Sequence, residues 1–291
     1  MTKITIIINP SSGKKDSILW SINNAFQKKA ISWEVQITQK KGDAYHLAEE
    51  AVKNREPIVA VYGGDGTVSE VAKALSKTNS ALFIIPGGTA NIFAKEMKIP
   101  TDVDQALALL AKKTHKIRTI DMALFQKELS VLRIETGLSA LLVKETKRST
   151  KRIFGSLSYL IHLLPHLHKS NINTFSLQID NKHIATKGVA LMIANVGNIG
   201  IEGYSVVPQS DVADGKLDVI VFKEEAFDSF FSWLRSMITG KKPQGAIQHW
   251  KAEKVKVILD REQTIICDDK MMRTKTIEAE IMPKALKVVV P

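Results

Sequence analysis

Between Tyr62 and Glu70 the chain reads Tyr-Gly-Gly-Asp-Gly-Thr-Val-Ser-Glu, three glycines around one carboxylate, directly after an apolar run. Gly63, Gly64 and Gly66 lack the Cβ atoms that keep backbone N–H groups away from phosphate oxygens, and they permit positive φ. Asp65 in their midst repels phosphates unless a cation or a hydrogen-bonded hydroxyl stands between. A nucleotide carrying a divalent cation such as magnesium reconciles the two. A lone Gly-Asp turn is the simpler reading of such a string, and the buried strand in front of it weighs against that reading.

Two more small-residue loops share the pattern. Asn9, Pro10, Ser11, Ser12, Gly13, Lys14 and Lys15 supply N–H groups, hydroxyls and two ammonium groups. Pro86-Gly87-Gly88-Thr89-Ala90-Asn91 opens a helix that runs to Met97, and Thr38 with Gly42-Asp43-Ala44 just beyond makes a fourth wall. Their positions follow from the elements before them. Apolar runs at 4–8, 32–38, 58–62 and 81–85 alternate with helical patterns at 17–29, 43–54 and 67–77, with Thr67 placed as helix cap. Such alternation implies a doubly wound parallel sheet whose strands deliver their following loops to one edge, where ligands bind. The first domain is expected over residues 1–123.

From residue 124 to 291 the text becomes β-rich, with strands expected at 129–134, 174–179, 188–194, 217–222, 254–259, 264–267, 276–281 and 286–290. The expected fold class is therefore α/β plus β: a nucleotide-binding domain followed by a β-sandwich with inserted helices, its last residues returning to the first domain. The cleft between the domains is the natural meeting place of two substrates.

With 291 residues, 44% of them hydrophobic, the chain can bury two cores. No apolar run reaches the roughly 18–20 residues of a membrane span. The N-terminus leads straight into a strand without the apolar core of a signal peptide, and the single cysteine, Cys267, agrees with a reducing compartment. A cytoplasmic location is expected. The net charge of +11 suits nucleic acid, an anionic membrane or anionic small molecules. No aromatic RNA-binding motif, zinc spacing or basic arm supports nucleic acid. Basic clusters at 144–152 and 241–242 instead flank apolar helical stretches at 154–167 and 227–238, the composition of segments that lie on a membrane surface; core helices are the alternative reading of each. His162, His166 and His168 read as surface histidines, and Trp20, Trp33, Trp233 and Trp250 as packing residues.

Taken together, the Asn9–Lys14, Gly63–Thr67 and Pro86–Asn91 strings, in that order and spacing, resemble the diacylglycerol kinase catalytic-domain family, in the bacterial lipid kinase branch related to sphingosine kinases. Asp121, the string from Asp211 to Asp218 and the terminal segment 283–290 extend the resemblance over nearly the whole chain. The family implies an NAD-kinase-like first domain and transfer of the ATP γ-phosphate to a lipid hydroxyl such as that of diacylglycerol, at the inner face of the membrane, with magnesium. On matching positions, Asn9, Pro10, Ser11, Ser12, Gly13, Lys14, Thr38, Gly64, Asp65, Gly66, Thr67, Val68, Ser69, Glu70 and Thr89 would hold ATP, with Asp65 beside the catalytic magnesium. Asp211, Asp214 and Lys216 would form the family's structural magnesium site, for which a plain Asp-Gly turn is the alternative.

The resemblance implies a general base near the end of the chain, in a stretch where Lys270 replaces a carboxylate that the family uses beside or as the base; Asp268 remains to take the proton, with Asp269 as the alternative. The family reads Asp-Gly-Glu there, and this chain reads Asp268-Asp269-Lys270. Ile92 also departs from an aspartate common in the family. Two other functions share part of the pattern: a soluble-substrate kinase of the NAD-kinase type, and a catalytically impaired nucleotide- or lipid-binding protein, to which Lys270 points.

Overall fold

The computed structural model describes residues 2–13, 18–27, 29, 31–111, 115–137, 172–198, 210–223 and 247–291. Lys14, the basic clusters, the apolar stretches at 154–167 and 227–238, Trp233 and the histidines at 162, 166 and 168 lie outside those residues. By its contacts the chain divides into two units. One comprises residues 1–122 and 282–291 with a short piece beginning at Asn198; the other takes the remainder of 123–281.

In the first unit the strands are β1 (Thr2–Ile8), β2 (Ile31–Ile37), β3 (Ile58–Gly63) and β4 (Ala81–Pro86). The helices are α1 (Ile18–Phe26), α2 (Asp43–Lys53), α3 (Asp65–Leu75), α4 (Ile92–Glu96) and α5 (Val103–Ala111). The sheet order is β2-β1-β3-β4, all parallel, and the end of the last strand, β14 (Lys270–Val290), adds beside β4 through Lys287↔Ala81 and Val288↔Leu82. β3 and β4 are buried at every position, which explains their unbroken apolar text. Strand alternation splits that text between two faces. Ile4, Ile6, Ile8, Ala60, Tyr62 and Phe83 pack with Ile22 and Phe26 of α1 and Leu107 and Leu110 of α5. Ile7, Val59, Val61, Leu82 and Ile84 are buried on the opposite side, where α2 and α3 pack against the sheet. The sheet is thus doubly wound.

Strands of the second unit are β6 (Glu128–Ser130), β7 (Arg133–Gly137), β8 (Asn173–Ile179), β9 (Lys182–Gly188), β10 (Ala190–Ala194), β11 (Leu217–Phe222), β12 (Ile247–Ala252) and β13 (Lys254–Cys267), together with the start of β14; β5 (Lys116–Phe125) leads in from the first unit. β13 explains the layering. Its first half pairs with β8, which pairs with β9, whereas its last residues, Ile265 to Cys267, pair with β7 in the order β12-β11-β10-β7. A register shift between Ile258 and Gln263 bends the strand so that it serves both layers. Phe175, Leu177, Leu191, Ile193, Val219, Val221, Val255, Val257 and Ile277 fill the core between them.

Several elements differ from the sequence reading. The expected strands at 254–259 and 264–267 are one strand, as are those at 276–281 and 286–290, because the polar residues between them sit at bends within continuous backbone. The expected strand at 129–134 is broken at Val131 and Leu132. α3 begins at Asp65 with Gly64 as its N-cap, so Thr67 lies inside the first turn. Trp20 is 64% exposed on α1 rather than packed. Among the described residues no helix is long and apolar enough to cross a membrane.

Candidate active site

The loops after β1, β3 and β4 meet at one edge of the first unit, and small residues let them do so. Gly64 and Gly88 touch: a Cβ on Gly88 would lie 2.6 Å from the Gly64 Cα. Gly87 N–H donates to the Gly63 carbonyl at 2.9 Å, extending the β3–β4 ladder into the loops. Tyr62, buried at the end of β3, is wedged between the first and third loops. A Cβ on Gly13 would fall 1.8 Å from its hydroxyl oxygen, and one on Gly87 would fall 2.9 Å from its ring.

The glycines at 64, 87 and 88 are needed for this close approach, and Gly63 makes room for the Thr67 side chain, 2.7 Å from where its Cβ would lie; positive φ occurs instead at Gly13 (86°) and Gly42 (94°). In the sequence Tyr62 reads as the last apolar residue of the strand at 58–62. The glycines on both flanking loops were the signal that a ring had to pass between them.

Side chains fix the loops to one another. Asn9 donates from Nδ2 to Thr67 Oγ1 at 2.9 Å, accepts Ser11 N–H at 2.9 Å, and donates its own N–H to the Tyr62 carbonyl. Asn91, at φ 48°, accepts Gly88 N–H at 2.9 Å and donates back to the Gly88 carbonyl at 2.8 Å, closing the third loop on itself. Asp65 reaches across to accept Phe93 N–H at 3.1 Å. Its carboxylate thus sits on the first turn of α3 while satisfying a backbone donor of α4, two positive helix ends around one negative charge.

The remaining walls are equally determined. Thr38 is buried, with its N–H on the Ile8 carbonyl. Glu70 accepts Gly42 N–H with both oxygens, at 3.0 and 3.1 Å, tying α3 to the start of α2. Val68 and Ser69 are buried in the body of α3, while Pro10, Ser11, Gly13 and Thr89 are exposed on the loops. Ahead of α2, Asp43 accepts the N–H groups of Gln39 and Lys40, both at 2.9 Å, and these bonds hold its carboxyl below the usual range. Asp121, buried in the middle of β5, accepts Lys284 N–H at 2.7 Å.

In the second unit Asp268 occupies the turn between β13 and β14 at φ 51°. Its Oδ1 accepts Ser130 Oγ–H at 2.6 Å and the N–H groups of Leu132 and Arg133 at 3.0 and 3.1 Å, and its Oδ2 accepts Val131 N–H at 3.0 Å. These bonds explain the break between β6 and β7: the backbone there turns its donors toward one carboxylate instead of a neighbouring strand. Lys270, two residues after Asp268, forms an ion pair with Glu128, two residues before Ser130. Ser130–Asp268 and Glu128–Lys270 are therefore neighbouring rungs between β6 and the turn. Beside them on β7, Arg133 pairs with Glu135, both largely buried.

The loop from Asp211 to Lys216 is bonded within itself: Asp211 accepts Ala213 N–H at 3.1 Å and Asp214 Oδ1 accepts Lys216 N–H at 3.0 Å. Asp218, buried on β11, accepts Ser210 Oγ–H at 2.8 Å and contacts His249 Nε2 at 2.7 Å. Lys251 of β12 forms an ion pair with Asp214 Oδ2. Asp214 above all, with Asp218 and Asp211 in support, raises the Lys251 ammonium pKa.

Comparison with known proteins accounts for both units. Residues 3–124 match the diacylglycerol kinase catalytic domain, and residues 133–290 match the YegS C-terminal NAD kinase beta sandwich-like domain. The chain belongs to the diacylglycerol kinase catalytic-domain family. The "Probable lipid kinase YegS-like" of Klebsiella pneumoniae (strain 342) is 28% identical over 291 residues, 99% of this chain and 96% of that protein. The "Probable lipid kinase YegS" of Shigella dysenteriae serotype 1 (strain Sd197) is 29% identical over 271 residues, 91% of this chain and 88% of the relative.

Two crystal structures from Bacillus anthracis strain Sterne, one named as a diacylglycerol kinase and one as a candidate for that activity, share the fold. Their TM-scores are 0.76 and 0.82 at 21% and 22% identity, each match covering 100% of this chain and 97% of the other. In this chain the Lys270–Glu128 pair stands beside Asp268 and the Lys251 ammonium stands on the acidic loop.

Proposed function

We propose that the chain is an ATP- and magnesium-dependent lipid kinase that transfers the γ-phosphate to a hydroxyl of a membrane lipid such as diacylglycerol. The observation that carries the reading is the contact of Gly64 with Gly88 around the Tyr62 wedge. It brings three loops together at the carboxyl ends of parallel strands, with the N-terminus of α3 among them. That cradle fits polyphosphate, because a Cβ at Gly88 would force the loops apart and close phosphates out. Asp65 beside it is a hard oxygen donor suited to magnesium.

Bound ATP and magnesium supply a polarised γ-phosphoryl group, and the remaining work falls to the chain. Backbone N–H groups of Gly13, of residues 64–67 at the start of α3 and of Thr89 hold the phosphates, with the hydroxyls of Ser11 and Ser12 beside them and Lys14 adding charge. Thr38, Val68, Ser69 and Glu70 build the wall behind them. The Asp268 carboxylate takes the proton of the acceptor hydroxyl as its oxygen bonds to phosphorus and the bond from phosphorus to the β-phosphate oxygen breaks. The Ser130–Arg133 donors fix that carboxylate in place. Lys270, held by Glu128, stands where a second carboxylate would otherwise be, leaving Asp268 to act alone. The lipid is met at the inner face of the membrane by peripheral contact, for which the net charge of +11 supplies attraction to anionic headgroups.

The test is transfer of labelled γ-phosphate from magnesium ATP to diacylglycerol, phosphatidylglycerol, a sphingoid base and a polyprenol in mixed micelles, with NAD as soluble acceptor. Label in a lipid and none in NAD is the expected result. Label in NAD alone would replace the lipid reading with the soluble-substrate one. ATP binding without transfer to any acceptor would favour an impaired binding protein.

A further inference from the structure

The acidic loop between β10 and β11 does not fit a divalent cation, because the chain supplies its own. Asp214 is the carboxylate best placed to be a ligand, and both its oxygens are engaged, Oδ1 by Lys216 N–H and Oδ2 by the Lys251 ammonium. Asp218 is engaged in the same manner by Ser210 and His249. Among the described residues no group of three or more His, Cys, Asp and Glu side chains is arranged to hold a metal ion.

The placement of Lys251 is built into the fold. Lys251 lies directly across from Asp218 in the antiparallel β11–β12 register, and His249 two residues earlier points to the same face. β12 thus delivers a cation and an imidazole together onto a loop carrying Asp211, Asp214 and Asp218. Both Lys251 and Asp214 are only part-buried, at 36% and 25% side-chain exposure, so neither charge bears a large desolvation cost.

We infer that the Lys251 ammonium replaces a structural divalent cation at the Asp211–Asp218 loop, and that the second unit folds and holds this loop without metal. A single side chain thereby does the electrostatic work of an ion, and the loop's integrity is independent of magnesium concentration. The requirement for magnesium then lies only with the nucleotide at the first unit. This holds whatever the acceptor substrate proves to be.

Thermal unfolding of the full chain without nucleotide tests it, in EDTA and in millimolar magnesium chloride. The parent is expected to melt at the same temperature in both. Lys251→Met should melt about 2–4 °C lower in EDTA, as loss of a part-exposed ion pair in a chain of this size implies. Magnesium should restore it by entering the freed carboxylates, and the double variant Lys251→Met/Asp214→Asn should show no recovery. Three results would overturn the inference: stabilisation of the parent by magnesium that Asp214→Asn abolishes, a Lys251→Met variant that melts like the parent in EDTA, or one that magnesium leaves unrecovered.

Discussion

Gly88 has 2.6 Å between its absent Cβ and the Gly64 Cα, a separation that real Cβ atoms essentially never show. Gly88→Ala must therefore move one loop off the other. It is expected to weaken ATP binding at least about tenfold, roughly 1.4 kcal/mol, with little change in overall stability; calorimetric titration with ATP checks the affinity and thermal unfolding the stability. Asp268 is a different kind of residue, since it is bonded to three backbone donors as well as to Ser130. Asp268→Ala leaves Val131, Leu132 and Arg133 N–H groups without their carboxylate and should destabilise the fold by about 2–4 kcal/mol in urea unfolding. Ser130→Ala removes one donor of four, so it should cost about 1 kcal/mol in the same measurement. The glycines were visible in the sequence and their purpose was not. Text alone suggests positive φ and close approach to phosphate, whereas the packing also requires a contact between residues 24 apart, which only the fold reveals.

α2 begins where Asp43 gathers the N–H groups of Gln39 and Lys40 while Glu70 of α3 holds Gly42. Because those bonds favour the ionised form, the folded pKa of Asp43 lies below its unfolded value. Their stabilisation is present above the unfolded carboxylate pKa, about 4, and is lost as pH falls through the folded value. Asp43→Ala should accordingly melt below the parent at pH 7, with the gap closing in acid, as melting curves across pH would reveal. The parallel strands of the first unit were legible because both faces are buried and their text is continuously apolar. β9 and β12 were not, since each buries one side at most and alternates with lysine and histidine on the other. The long β13 and β14 were read in fragments for the same reason, with polar residues at their bends resembling loops.

At the scale of the molecule, two units with separate cores carry the two sets of residues assigned to one reaction, the phosphate loops in the first and Asp268 in the second. The net charge of +11 gives the whole chain a bias toward anionic surfaces. Sedimentation with phosphatidylglycerol vesicles should exceed that with phosphatidylcholine and should fall as salt rises past about 0.1 M, where screening reaches about 10 Å. Equal sedimentation with both would remove charge from the account of membrane contact. The division of labour between the units is tested most directly by labelled γ-phosphate transfer to the preferred lipid with the parent, Asp65→Asn and Asp268→Asn, each checked for folding by circular dichroism. The account predicts that both folded variants lose at least about 100-fold in kcat, as loss of a positioned base or metal partner does. Transfer at the parental rate by folded Asp268→Asn would contradict it.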